Sequence, residues 1–265
     1  MNAETLIKMK QMKFLGMARA FQTSLETDDI QRLTTDEMIA LLVDSEMDDR
    51  HNRAIERRTR QAKFRYKADI ESIIYENDRN LDKNQILRFA DCTFIEKKEN
   101  MLITGLTGIG KSYIASAIGH QACVLGYKVY YANTAKLFAR LKMTKADGSY
   151  LKEISRIERM DLLILDDFGL QPFDNQARML LMEIIEDRHD KRSMIITSQI
   201  PVGKWHEVIG DNTVADAILD RIIHTAHRVD LKGESMRKKK RSKQFVESSG
   251  RPTASLHSQQ TFLNQ

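Results

Sequence analysis

The chain has 265 residues, of which 42% are hydrophobic, 30% are charged and only three are proline. This composition is typical of a globular protein with one sizeable domain and a smaller one, and it excludes a disordered or fibrous chain. There is no run of about 18 apolar residues, which argues against a membrane span, and the first residues lack the apolar core of a signal peptide. Cys92 and Cys123 form no pairing pattern, so we expect a reduced, cytoplasmic protein with no membrane partner.

The net charge of +5 is distributed unevenly along the chain. Residues 50–67, RHNRAIERRTRQAKFRYK, hold eight Lys and Arg against one Glu, and residues 237–243, RKKKRSK, hold six with no acid. These segments carry +7 and +6, so the rest of the chain carries −8. Such a concentration of positive charge favours binding to a polyanion, above all nucleic acid, over an evenly solvated surface.

The N-terminal part of the chain is predicted to form short helices. Thr34 and Glu37 have the spacing of a helix-capping box, and apolar residues follow them at helical spacing. The basic segment 50–67 is predicted to lie on the next helix or just beyond it. We therefore predict a small all-helical N-terminal domain, residues 1–75, that makes assembly, DNA or partner contacts.

From about residue 98, strand patterns alternate with helix patterns. Apolar runs predict strands at 99–104, 128–132, 162–166, 193–198 and 227–231, with helices between them. The helix after the second strand is predicted to end at Lys142, before a polar loop, MTKADGS. Repeated strand–helix units imply a parallel sheet covered by helices on both faces, here over residues 76–240. Residues 241–265 are polar and aperiodic, and they are predicted to form a disordered basic tail.

A glycine-rich segment, GLTGIGKS at residues 105–112, lies between the first predicted strand and its helix. It fits the pattern G-x-x-x-x-G-K-[ST] in the strand-to-helix context that the pattern requires, where backbone N–H groups and the helix N-terminus surround phosphates. Lys111 is expected to reach the β- and γ-phosphates, and the Ser112 hydroxyl is expected to bind Mg²⁺. The predicted ATP-binding residues are Gly105, Leu106, Thr107, Gly108, Ile109, Gly110, Lys111, Ser112 and Tyr113.

The stretch DLLILDDFG, residues 161–169, ends a buried strand on two adjacent carboxylates. We expect this strand to lie beside the strand of the phosphate loop, so that its carboxyl end meets the phosphates. Asp166 is then expected to face Mg²⁺, and Asp167 to orient or deprotonate the attacking water. A divalent cation and Lys111 would offset the repulsion between the carboxylates. The pair predicts an ATPase, since no N-K-x-D sequence supports a GTPase and no acceptor-site signature supports a small-molecule kinase.

Two further residues are candidates for catalysis. Gln199 follows the strand SMIITS, where it would lie between the two motifs and sense the γ-phosphate, although the polar residues before it can simply cap the strand. Arg221, in ADAILDRIIH, is a candidate for reaching the γ-phosphate of a neighbouring subunit and stabilising charge in the transition state. The alternative for Arg221 is an intrachain ion pair with Asp216 or Asp220.

Several segments together resemble the IstB-like transposition helper ATPases, relatives of the DnaC helicase loaders within the AAA+ superfamily. The segments are MKFLGMARAF near the start, GLTGIGKS, DLLILDDFG, IITSQIP, the sequence WHE-x-x-GD beginning at Trp205, ILDRIIH and VDLKGESMR. The resemblance covers residues 5 to about 240 and implies an AAA+ type P-loop ATPase fold. The short sequence after Leu231 implies that the C-terminal helical lid is reduced or absent. The family often has Glu at the position of Asp167, and the shorter Asp predicts slow hydrolysis, which suits a switch better than a motor.

The resemblance implies a prokaryotic protein that assembles with ATP and Mg²⁺ on double-stranded target DNA and then recruits and stimulates its cognate transposase. An arginine that reaches into the next subunit makes a heterologous interface, which propagates into rings or helices. Basic surfaces repeated along such an assembly would bind DNA in a salt-sensitive, sequence-tolerant way, and hydrolysis by Asp167 would disassemble it. The candidate DNA contacts are Arg57, Arg58, Arg60, Lys63 and Arg65 in the basic segment, and Lys142 and Lys145 at the polar loop.

Three other functions remain open at this point. A DnaC-like loader would hold single-stranded DNA and contact a replicative helicase through its N-terminal helices, although MKFLGMARAF resembles the helper branch more. A non-catalytic scaffold would assemble on binding ATP without turning it over. A metabolic P-loop kinase would be a monomer indifferent to DNA.

Overall fold

The computed structural model describes residues 2–27, 32–224 and 226–236. Within them the helices are α1 (Asn2–Gln11), α2 (Leu15–Glu26), α3 (Thr35–Ala62), α4 (Lys83–Ala90), α5 (Thr93–Glu96), α6 (Lys111–Val124), α7 (Thr134–Asp147), α8 (Tyr150–Glu158), α9 (Asn175–Arg188), α10 (Trp205–Ile209) and α11 (Asn212–Ile223). The strands are β1 (Asn100–Gly105), β2 (Val129–Asn133), β3 (Leu162–Phe168), β4 (Ser193–Ser198) and β5 (Ala226–Leu231). The predicted tail at 241–265 and the basic segment 237–243 lie outside the described residues.

The five strands form one parallel sheet in the order β2-β3-β4-β1-β5. The parallel sheet is therefore confirmed, but the expectation that β3 lies beside β1 is wrong. Ile196 of β4 pairs with Leu102 of β1 on one side and with Leu165 of β3 on the other, so β4 separates the two strands. The carboxyl end of β4 consequently lies between the glycine-rich loop and the paired carboxylates, which is the expected location of Gln199.

Helices cover both faces of the sheet because successive strand residues point to opposite sides. On β3, Leu162 and Ile164 belong to the core that includes residues of α4, α5 and α6. Leu163 and Leu165 belong to the second core, which is built with α7, α8, α9, α10 and α11. All four of these strand residues are fully buried, as expected for a parallel strand covered on both sides.

Helix α3 is 28 residues long and begins with the predicted capping box, in which Thr34 and Glu37 each hydrogen-bond the other's backbone N–H. The prediction of short helices is wrong here, since no Gly or Pro interrupts the segment Thr35–Ala62. The basic segment therefore does not occupy a separate helix. It forms the C-terminal half of α3 and continues into residues 63–67, after Lys63 ends the helix in a left-handed conformation.

Helix α7 is also longer than predicted. It runs to Asp147, and Gly148 ends it with a positive φ of 78°, the left-handed conformation that glycine adopts most readily. Lys142 and Lys145 therefore lie in the last turns of a helix, and the prediction of a loop at this position is wrong.

A buried carboxylate joins the N-terminal helices α2 and α3. Glu46 of α3 accepts hydrogen bonds from the backbone N–H of Gly16 at 2.8 Å and of Met17 at 3.3 Å, and from Arg50 Nε at 2.7 Å. It thereby accepts hydrogen bonds from N–H groups in the first turn of α2, which the N-cap residue Phe14 does not satisfy. A Cβ on Gly16 would lie 2.2 Å from the carbonyl oxygen of Ser45. The glycine of MKFLGMARAF is therefore required for the close approach of the two helices.

The chain between α3 and α4 packs into the core of the sheet. Ala68, Ile70 and Ile73 are buried in the same cluster as Ala62 at the end of α3 and residues of β1 and α6. The division into domains at residue 75 stays a prediction. In residues 2–27, 32–224 and 226–236, no helix has both the length and the apolar character needed to cross a bilayer.

Candidate ATP-binding site

The glycine-rich loop connects β1 to α6 and adopts conformations that favour glycine. Gly108 has a φ of 82° and Gly110 a φ of 107°, where a side chain would be strained. Gly110 is the N-cap of α6 and supplies no side chain to its first N–H groups. These N–H groups and the helix dipole make the start of α6 suited to an anion such as a phosphate.

The predicted loop residues surround a cavity of about 420 Å³. Six of the nine line it: Thr107, Gly108, Gly110, Lys111, Ser112 and Tyr113. Ile109 is fully buried and Leu106 is 68% exposed, and these two residues and Gly105 do not line the cavity. Lys111 is 5% exposed, and its Nζ lies 2.7 Å from the carbonyl oxygen of Gly105 and 2.9 Å from that of Leu106.

Asp166 is fully buried behind the loop and is surrounded by hydrogen-bond donors. Its Oδ1 accepts from Ser112 Oγ at 2.7 Å and from the hydroxyl of Thr197, and its Oδ2 accepts from the hydroxyl of Tyr131. Burial, together with this carboxylate, raises the pKa of Tyr131, so the phenol stays a donor at neutral pH. Ser112 and Asp166 thus place two oxygen atoms side by side, and oxygen atoms are the ligands that Mg²⁺ prefers.

A β-bulge explains how two adjacent carboxylates face the same site. Consecutive strand residues normally point to opposite faces, but the register of β3 against β4 shifts between Leu165 and Phe168. Asp167 adopts a left-handed conformation with a φ of 58°, which Asp tolerates better than most residues. Its N–H donates to Thr197 Oγ1 at 3.2 Å, and its Oδ2 accepts from Asn133 Nδ2 at 3.2 Å. The bulge therefore turns Asp167 toward the cavity, where it can act on a water molecule.

Arg65 lies between the two carboxylates rather than on an open basic surface. Its Nη1 is 3.2 Å from Asp166 Oδ2 and 3.1 Å from Asp167 Oδ2. The residue also lines the cavity. The structure therefore places this predicted DNA contact in the candidate ATP site.

Gln199 is brought to the loop, and Arg221 is not. Thr107 Oγ1 donates to Gln199 Oε1 at 2.5 Å, and both residues line the cavity. Arg221 donates to the carbonyl of Ala217 at 2.8 Å and lies 3.5 Å from Glu186 Oε1. Arg221 therefore forms an intrachain ion pair, the alternative to a role in a neighbouring subunit, but its partner is Glu186 of α9 rather than Asp216 or Asp220.

The candidate DNA-binding residues differ in whether a neighbouring carboxylate neutralises their charge. Arg50 and Arg53, earlier in the basic segment, are paired with Glu46 and Asp49. The next four, Arg57, Arg58, Arg60 and Lys63, have no ion-pair partner in the described part of the chain. On α7, Lys142 pairs with Asp174, and Lys145 Nζ lies 4.6 Å from the ring centroid of Tyr150.

The structure places four residues in the site that were not assigned to it from the sequence. Asn133 and Thr197 lie at the carboxyl ends of β2 and β4, where polar residues after apolar runs are a usable signal. Tyr131 gives no such signal, because it reads as an ordinary strand residue. Arg79 is 4% exposed and donates to the carbonyl of Ile109 at 2.7 Å; nothing nearby in the sequence indicates that it supports the loop.

The sheet order, the phosphate loop before α6 and the carboxylate pair at the end of β3 define a P-loop protein of the AAA+ class. The fold agrees with solved structures at low sequence identity. A structure of DnaI has a TM-score of 0.56 and 19% identity over 63% of this chain and 92% of its own. A DnaC helicase loader has a TM-score of 0.52 and 20% identity over 63% and 98%.

Sequence comparison assigns the chain to a family within this class. The family described as IstB-like ATP binding protein matches residues 7–244, and the chain belongs to this family. A relative from Sinorhizobium fredii, named as an insertion sequence ATP-binding protein, is 43% identical over 90% of this chain and 98% of its own length. A relative from Pseudomonas aeruginosa, named as an IS21 ATP-binding protein, is 28% identical over 92% of each chain.

Proposed function

We propose that this protein is an ATP-dependent helper of transposition. It assembles with Mg²⁺ and ATP on double-stranded target DNA, recruits and stimulates its cognate transposase, and hydrolyses ATP to disassemble. The observation that carries the proposal is its membership of a family whose curated relatives are named as insertion sequence ATP-binding proteins.

The candidate site supports slow hydrolysis of ATP. Lys111 and the loop N–H groups would bind the phosphates, while Ser112 and Asp166 would hold Mg²⁺, which neutralises charge on the phosphates. Asp167 would orient and deprotonate the attacking water, and Gln199 would sense the γ-phosphate from the end of β4, between the loop and the carboxylates. A general base of this kind typically contributes about 10²- to 10⁴-fold to a rate.

The C-terminal half of α3 supports contact with DNA. Arg57 and Arg60 are exposed and one turn apart, and neither is neutralised by a carboxylate in the described residues. Each phosphate neutralised by such a residue releases a counterion, so binding would weaken as salt rises. Lys142 is paired with Asp174, so we expect α7 to contribute less than α3.

The position of Arg221 supports the proposal of assembly, because this residue lies outside the cavity of its own subunit. We propose that it reaches the nucleotide of a neighbouring copy. Arg221→Ala should then spare ATP binding by the isolated subunit and abolish cooperative assembly, measured by light scattering with ATP. Glu186→Gln is the matched control, since it removes the same ion pair but keeps the arginine. Equal loss of assembly in both variants would return Arg221 to a structural role.

The recruiting function is tested by strand transfer with the purified cognate transposase and a duplex target. ATP should stimulate integration in the presence of this protein, and Lys111→Ala should remove the stimulation. Integration that is the same with and without the helper would contradict the proposal.

A further inference from the structure

Arg65 connects the basic helix α3 to the carboxylates of the ATP site over two residues. Helix α3 ends at Ala62, which is fully buried. Phe64 packs edge-on against Tyr131 with ring centroids 6.3 Å apart, and Tyr131 hydrogen-bonds Asp166. The next residue, Arg65, contacts both carboxylates. The end of α3 is therefore packed against the core of the site, and only two residues separate it from Arg65.

The two carboxylates do not depend on Arg65 for hydrogen bonding. Without it, Asp166 keeps the hydroxyls of Ser112, Thr197 and Tyr131, and Asp167 keeps Asn133. The Arg65 side chain is 43% exposed, whereas Asp166 is fully buried. The guanidinium thus enters from the solvent side, and it can leave without stranding a buried carboxylate.

A second cation at the carboxylates would favour this departure. Mg²⁺ held by Ser112 and Asp166 would repel the guanidinium and weaken its hold on Asp166. The same cavity is lined by Thr107, Lys111 and Gln199, the groups expected around the terminal phosphate. A planar guanidinium matches phosphate oxygens with two parallel hydrogen bonds, so a new partner would lie within the cavity that Arg65 already faces.

We propose that Arg65 senses the nucleotide by exchanging the two carboxylates for the terminal phosphate of ATP, and that this exchange positions the basic surface of α3 on DNA. The proposal rests on the proposed function for its DNA readout. It assigns Arg65 to the binding of ATP in preference to ADP, which lacks the terminal phosphate. It also makes the ATP dependence of DNA binding a property of one side chain.

The test compares wild type, Arg65→Ala and Arg65→Lys, with Arg60→Ala as the matched control in the same basic segment. The first readout is the Kd for ATP and for ADP with Mg²⁺, measured without DNA. Arg65→Ala should reduce the preference for ATP about tenfold, the usual effect of losing a charge-assisted hydrogen bond. Arg65→Lys keeps the positive charge but loses the two parallel hydrogen bonds of the guanidinium, so its preference for ATP should lie between those of wild type and Arg65→Ala. An unchanged preference in Arg65→Ala would overturn the proposal.

The second readout is the affinity for duplex DNA with ATP and with ADP. Arg65→Ala should lower binding with ATP to the level with ADP, whereas Arg60→Ala should weaken binding with ATP but leave the nucleotide preference measured without DNA unchanged. If Arg65→Ala weakens DNA binding as Arg60→Ala does and keeps the wild-type nucleotide preference, Arg65 is an ordinary DNA contact and the proposal fails. Failure of wild type to bind duplex DNA at all would instead sink the proposed function, and the nucleotide preference would still decide the role of Arg65. Thermal melting checks folding, and Arg65→Lys carries the test if Arg65→Ala unfolds.

Discussion

Different interactions stabilise the N-terminal helices and the sheet. In the sheet, Leu163 and Ile164 are fully buried between two layers of helices, so apolar burial stabilises the fold. In α1 no residue is buried, and α2 buries only Gly16, Ala18 and Ser24. There the contact with α3 depends on a close backbone approach and on carboxylates that pair with arginines. Apolar burial in the sheet does not depend on pH, whereas the contact between α2 and α3, here called the helix joint, can be loosened by acid.

The largest effect should come from Lys111→Ala, which changes the glycine-rich loop that follows strand β1 of the sheet. Removing the ammonium should weaken nucleotide binding roughly a hundredfold and abolish ATP-dependent assembly with it. The measurement is nucleotide titration, with Lys128→Ala as a control because Lys128 is an exposed lysine outside the residues that line the cavity. Retained assembly in Lys111→Ala would show that assembly does not pass through this site.

Asp167→Ala should separate binding from hydrolysis. We expect the rate of phosphate release to fall about a hundredfold or more, while ATP binding changes little and an ATP-bound assembly accumulates. Phosphate release and light scattering on the same sample measure both effects. Failure to assemble would show that the role given to Asp167 is wrong. Negligible turnover in wild type, with assembly lost in Lys111→Ala, would favour an ATP-gated scaffold.

Gly16→Ala tests the helix joint by a steric change. A Cβ at this position would lie 2.2 Å from the Ser45 carbonyl, so α2 and α3 must separate, at a cost of about 1–3 kcal/mol in the free energy of unfolding. Gly203→Ala is the control, because nothing lies within 4 Å of its added Cβ. Hydrogen exchange should become faster in α2 and stay unchanged in β3. An equal increase in the exchange rates of α2 and β3 would mean that the helix joint does not open separately from the sheet.

The smallest effect is a pH dependence of the same joint. Burial alone would raise the pKa of Glu46, but the hydrogen bonds from Arg50, Met17 and Gly16 outweigh it and lower the pKa below the ordinary 4.5. A lowered pKa in the folded state stabilises the joint above about pH 4.5, and this stabilisation is lost as the pH falls through the lowered value. Hydrogen exchange of α2 should therefore quicken in acid.

Glu46→Gln is the variant that isolates this carboxylate. It should reduce stability by roughly 1 kcal/mol at neutral pH and flatten the acid dependence of exchange in α2. An acid dependence as steep as that of wild type would assign the effect to another group.

The sequence was sufficient for the parts of the molecule that local pattern determines. The apolar run SMIITS became β4 with the predicted bounds, and the glycine-rich segment lies between β1 and α6 as its spacing requires. The order of strands was not readable, because neighbours in a parallel sheet are chosen by packing rather than by local sequence. That is why the expectation of β3 beside β1 is wrong, even though the end of β4 does lie between the two motifs, where Gln199 is expected.

Arg65 shows the limit of reading charge from sequence. It stands in a basic segment with Arg57 and Arg60, and composition cannot separate it from them. Only the end of α3 at Lys63, the packing of Phe64 on Tyr131 and the bulge at Asp167 bring it to the ATP site. The packing and the bulge join segments that are far apart in the chain, so no spacing rule predicts that they meet at Arg65.

The most direct test of the central claim is competition between duplex and single-stranded DNA at fixed salt, with ATP, ADP or no nucleotide, while light scattering follows particle size. The account predicts large particles that form on duplex DNA with ATP, and weak binding to single strands. Preference for single-stranded DNA, or a small particle that ignores both, would contradict it.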